Sequence, residues 1–198
     1  MSGGTTLIVD GRTSEAARVN PDGQLSVFAQ VVSNSLAASI KGDRYNIAAA
    51  PFPILTDDVE TPVLYVQNNE PAALGWAITQ LVVVTTVSDV MGEFTVSFYT
   101  NPTSGTIITG GADASVVSQN LGSQKPLEVT AKVGGTGDTL VGDIKVERLV
   151  PMTPASLVIP LDAIVIPPGT SFGMTVTPPA GNTSMTVDAS VAILRLEA

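Results

Sequence analysis

An all-β sandwich is the fold class this sequence predicts, and three observations predict it. Apolar and polar residues alternate with period two in segment after segment, helical periodicity is scarce, and turn signals recur roughly every 8 to 15 residues. Successive side chains of a strand point to opposite faces, so such alternation marks a strand with one buried face.

In chain order, residues 1–50 combine two short β-like stretches, TTLIVD and QLSVFAQVV, with polar spacers and too few large side chains to form a core alone. They are expected to form an extended N-terminal arm, with one short helix at SNSLAASIKGD (33–43) that Gly42 ends. Residues 51–198 are expected to be the sandwich. PVLYVQN from Pro62, LGWAITQLVVVTTV from Leu74, LVGDIKVERL from Leu140 and LVIPLDAIVI from Leu157 are β-rich and in places apolar on both faces. Such strands lie centrally or at a subunit contact. EFTVSFYT sets Phe94, Val96 and Phe98 against Thr95 and Ser97, and SFGMTVT aligns Phe172, Met174 and Val176. SMTVDASVAI sets Met185, Val187, Ala189, Val191 and Ile193 against Thr186, Asp188 and Ser190. A further strand at GTIIT or PLEVTAKV brings the expectation to about eight strands between 62 and 196. The connectors VNPDGQL, PPGT and PPAGN join the fixed φ of Pro to a permissive Gly, and NNEPAAL separates two strands.

Composition then narrows the function. The chain has 198 residues, enough for a sizeable core. Charged residues are 14% and the mean hydropathy is +0.34, yet no apolar run nears the roughly 20 residues a membrane helix needs. The first residues lack a basic region followed by an apolar stretch, so no secretory signal is expected and synthesis is assigned to a cytoplasm. There is no Cys, which removes disulfides and thiolate metal sites. There is no His, which removes the commonest general base and transition-metal ligand. An enzyme is therefore not expected, nor a cofactor. Residues 1–45 hold four basic and four acidic groups, and the remainder holds five and fourteen. An acidic body repels phosphate backbones, so nucleic acid is not an expected partner, and the lack of a long apolar run gives no membrane partner either, whereas the neutral arm approaches another protein more easily.

Each chemical motif has a plainer reading beside it. GGTGDTL (134–140) has the glycines of a phosphate-cradling loop but no following Lys and no helix pattern, which leaves a loop. LTDDVE offers Asp57, Asp58 and Glu60 as a weak candidate for a structural cation, without the spacing of an EF-hand. The tripeptides DGR (10–12) and KGD (41–43) read as turns, and NTS (182–184) reads as a turn rather than a glycosylation acceptor. Trp76 and Tyr65 are the aromatic residues a carbohydrate platform would use, and core or interface packing is the preferred assignment.

Three segments in order, N-x-D-G-x-L at 20–25, G-D-x-Y-N-I at 42–47 and P-x-L-Y-x-x-N-N-E at 62–70, resemble the N-terminal part of tailed-bacteriophage virion structural proteins. The ending VIPPGTSFGMTVTPPAGNTSMTVDASVAI (165–193) is similar to the final strand pair of the same group. The resemblance implies a jelly-roll-like antiparallel β-sandwich that attaches to the outside of a capsid as a decoration, or cement, protein. It implies the major capsid protein and other copies of the chain as partners, three to a unit, on the virion surface. Similar modules in fibres and tail appendages give the alternative, a receptor- or glycan-binding module. On this reading the arm contacts capsid or neighbour through Leu7, Ile8, Val9, Arg12, Arg18, Val27, Phe28, Val31 and Val32, adding backbone pairs to exposed sheet edges.

Overall fold

The computed structural model describes residues 34–54, 58–72, 74–86, 93–151, 156–183 and 185–197. Its elements are α1 (Asn34–Lys41), β1 (Arg44–Ile54), β2 (Thr61–Asn68), β3 (Leu74–Thr86), β4 (Glu93–Ser104) and α2 (Thr106–Gly110). There follow β5 (Ala112–Asp113), β6 (Ser115–Ser118), β7 (Val129–Val133), β8 (Val141–Pro151), β9 (Ser156–Ile166), β10 (Ser171–Thr177) and β11 (Met185–Glu197).

Two antiparallel sheets face each other. One has the order β6-β1-β11-β3-β9 and the other β5-β7-β2-β10-β4-β8. With β5 to β7 set aside, eight strands pair as nested couples: β1 with β11, β2 with β10, β3 with β9 and β4 with β8. The couples close on one another through β11–β3 and β10–β4. This is a long hairpin rolled so that alternate couples fall in opposite sheets, which is a jelly roll, the fold expected from the sequence. The segment from α2 to β7 is inserted between its fourth and fifth strands. Within it β6 extends one sheet beside β1, and β7 with β5 extends the other beside β2.

Alternation decides the core. Phe94, Val96 and Phe98 of β4 meet Phe172, Met174 and Val176 of β10 in one sheet, and Val187, Ala189, Val191 and Ile193 of β11 face them from the other. Phe98 and Phe172 stack with ring centroids 5.8 Å apart. Trp76, Ile78, Leu81 and Val83 of β3 join the same cluster. Burying such side chains contributes about 1.5 to 3 kcal/mol each.

The opposite face of the second sheet carries a satellite core. Tyr65 and Tyr99 flank Gly173 in register, and Ile107 of α2 and Leu140 cover them. A Cβ at Gly173 would lie 2.4 Å from Leu140 Cδ2, so the absent side chain is what lets the insertion settle there. GTIIT, one of two places expected to add a strand, is therefore helical: Ile107 turns fully inward onto the tyrosines, and packing overrides the β preference of its β-branched residues. The other place, PLEVTAKV, does contain β7. Near the start, α1 ends where expected, with Gly42 at φ 77 and the Asp43 amide bonded to Ala38 O at 2.8 Å. β1 runs across residue 50, where the sequence reading divides arm from sandwich.

Candidate functional site

The arm residues Leu7, Ile8, Val9, Arg12, Arg18, Val27, Phe28, Val31 and Val32 lie outside the described residues, as does Asp57. Of the remaining cation candidates, Asp58 is exposed in a left-handed conformation (φ 50). Glu60 points elsewhere: its Oε1 accepts hydrogen bonds from the Tyr99 hydroxyl at 2.6 Å and from the Thr175 hydroxyl. Among the described residues no group of three or more acidic side chains is arranged to hold a metal. Burial, and then the bond to Glu60, push the Tyr99 phenol well above its usual range.

The other motif residues are engaged in the fold. The Gly134 amide bonds Val63 O at 3.1 Å, and the Thr106 hydroxyl bonds Asp138 at 2.9 Å, so the GGTGDTL loop spends polar groups on its own chain. A Cβ at Gly134 would sit 2.0 Å from Pro62 O, which fixes Gly there by close backbone approach. Asp43 of KGD is buried and paired with Lys125 at 2.9 Å. Asn182 of NTS is buried. Trp76 and Tyr65 are buried too, in the main and satellite cores, and offer no exposed platform. No helix among the described residues is long and apolar enough to cross a membrane.

Sequence reasoning missed a buried polar cluster at one end of the sandwich. Glu70, its side chain fully buried, pairs with Arg195 of β11 at 2.6 Å and accepts the Glu128 amide at 3.2 Å. Asn68 donates to Ile166 O at 2.9 Å and accepts the Glu70 amide at 2.9 Å. The Tyr45 hydroxyl reaches Lys125 O at 3.3 Å. Each carboxylate here is matched by a cation or amide, as buried charge requires. These groups tie the return of the insertion to β1, β2 and β11, which is structural work.

Apart from Val59 in the loop before β2, the exposed large apolar side chains among the described residues fall at the two flanks of the roll. On one flank the end strands β8 and β9 expose Val141, Ile144 and Val165. On the other, β6 exposes Val116 and Val117, and the turn after it carries Leu121 at 91% exposure, beside Ile40 at 65%. Asn120 holds that turn: its Nδ2 donates to Ile40 O at 2.9 Å and its Oδ1 accepts the Gly122 amide at 3.0 Å. Where β1, β5, β6, β7 and β11 come together runs a groove of about 440 Å³, lined by Pro51, Val133 and four alanines and also by the polar Asp113, Ser115 and Asp188. Val141, Ile144 and Val165 fall on strands read from the sequence as central or at a subunit contact; the other positions carried no such signal, and only exposure in three dimensions separates them from core residues of the same type.

No family model and no curated protein matches the chain. Among solved structures, a chain from a structure of deformed wing virus carrying the GFP gene is similar at 12% identity and a TM-score of 0.29. The alignment covers 100% of this chain and 57% of that one, so the chain spans little more than half the length of that neighbour.

Proposed function

We propose that the chain is a structural virion protein of the tailed-phage head decoration type, which binds the outside of a capsid and clamps its subunits. One observation carries the reading. Of the segments that resemble this family, 42–47 and 62–70 near one end of the chain and 165–193 near the other are neighbours in the roll, since β1 pairs with β11 and β2 pairs with β10, while 20–25 lies outside the described residues. A resemblance on two mutually bonded strand pairs describes one framework, where scattered matches would describe chance. The flanks support the same reading, because their exposed valines, leucine and isoleucines are surface for protein contact rather than a pocket for chemistry.

In this mechanism the major capsid protein is the principal partner, and the arm supplies contact through residues 7–9, 12, 18, 27, 28, 31 and 32. Copies of the chain also contact one another. Many weak contacts on a lattice sum by avidity, and each must break before the shell opens. The test is to mix purified protein with heads lacking it and image them. Density repeating at lattice axes is the expected result. Bare heads, together with binding on a glycan array, would replace this reading by the fibre or tail module.

A further inference from the structure

We infer that the outward face of the sheet β6-β1-β11-β3-β9 is the surface that lies against the capsid, and that its partner there is a flat, uncharged stretch of the major capsid protein. The inference rests on the decoration reading and names the side of the roll that does the binding. It begins with alternation. Ile47 and Ala49 of β1, Ala189 and Val191 of β11, and Leu81 and Val83 of β3 turn into the core. Their neighbours therefore turn out. The register sets these in rows: Val117, Asn46, Ala192 and Gln80 lie side by side, and so do Ser115, Ala48, Ser190 and Val82.

The two outward faces of the sandwich differ. On the second sheet Ser97 of β4 and Thr175 of β10 lie opposite one another and are buried, for the chain covers that side itself. Glu60 accepts a hydrogen bond from the Thr175 hydroxyl, and Leu140 and Ile107 pack over Tyr99. On the first sheet Ala48, Ser190 and Val82 stay partly exposed.

Charge separates this face from the rest of the molecule. Residues 46–198 hold five basic and fourteen acidic groups, yet among the described residues the outward positions of β1, β3, β6 and β11 hold only Arg44 and Asp188, one of each sign. The centre of a protein contact is depleted in charge, since each buried charge must be stripped of water. This face meets that condition. These strands, about 4.8 Å apart and up to about eight residues long in the face, span on the order of 500 Å². That is roughly the share of one partner in the smallest specific contacts, and repetition over a lattice adds avidity.

The occupant follows from symmetry and from side chains. A face that packs on the same face of a second copy closes as a pair and leaves nothing for a third. In the unit of three that the resemblance implies, it is therefore turned to a different protein, which the proposed function supplies. Trp76, Tyr45 and Phe52 of the same strands pack inward, so no ring is left outside for a sugar to stack on.

Binding of purified variants to heads that lack the chain, followed by co-sedimentation over a concentration series, tests this. Asn46→Asp and Gln80→Glu add a negative charge with almost no change of shape, and Ser190→Arg adds a positive one, all at partly exposed positions. Each is expected to weaken head binding at least tenfold, with the melting temperature and the sedimentation of the free protein unaltered. Loss with both signs marks burial of the face, whereas loss with one sign alone would mark electrostatic steering and overturn the inference. Wild-type affinity in all three, or a loss of self-association in place of head binding, would overturn it too and leave the decoration reading standing. Heads left bare by the wild-type protein would end both.

Discussion

The two flanks of the roll solve the problem of unpaired strand edges in opposite ways. Where β8 and β9 end the sheets, the strands blunt themselves. β9 contains Pro160, which has no N–H to offer, beside a register shift opposite Ile78 and Gln80. β8 is irregular opposite 98–99 and 100–104, and exposes Asp143 and Glu147. Bulges, proline and edge charge all discourage another strand from adding. Where β1 and β2 would end the sheets, the chain adds residues 105–140 and continues both of them. The last strand there, β6, has Ser-Val-Val-Ser and neither proline nor charge. Protection on one side and its absence on the other teach that the insertion, among the described residues, exchanges a long edge for a short uncharged one, β6, that is not blunted against pairing.

Four changes sharpen that comparison, beginning with the largest. Glu70→Leu strands Arg195 and the Glu128 amide at the root of the insertion, and a loss of about 3 to 5 kcal/mol in denaturant unfolding is expected. Adding Arg195→Met should recover most of it, because an apolar pair needs no compensation. Ile107→Ala empties the centre of the satellite core and is expected to cost about 2 to 3 kcal/mol. Hydrogen exchange should then speed in β5 to β7 and remain slow in β10 and β11. Equal acceleration everywhere would show that the insertion is not a separate layer.

Tyr99 gives a pH signature. Its folded pKa lies above the unfolded value near 10, so the stability it provides is complete below about pH 10 and is lost as pH rises beyond it. Tyr99→Phe should lower stability by about 1 kcal/mol at neutral pH and flatten the alkaline slope. An unchanged slope in thermal melts between neutral and strongly alkaline buffers would remove Tyr99 as its source. The smallest effect is expected on the blunted flank. Val165→Lys should alter stability by less than about 0.5 kcal/mol and leave sedimentation as it was.

The roll was legible because its signal is local. Phe94, Val96 and Phe98, or Val187, Ala189 and Val191, declare a buried face by spacing alone, and the Gly169 and Gly181 turns sit at φ 77 and φ 82 where the Pro-Gly connectors called for left-handed backbone. The helix at 106–110 was not legible, because Ile107 and Ile108 favour a strand until Tyr65, Tyr99 and Leu140 are brought over them from distant parts of the chain. Glu70 was visible as the end of an NNE segment, but nothing local marks it as buried against Arg195, 125 residues away. Leu121 and the alanine groove were silent for the same reason: exposure is a property of the fold, and apolar letters in a sequence read as core.

The claim on which everything turns is that the chain works as part of a shell. Quantitative mass spectrometry of purified mature particles tests it most directly. The account predicts this chain in a fixed ratio to the major capsid protein, a ratio that persists through repeated purification. Its absence from those particles, or a ratio that falls with each wash toward zero, would contradict it.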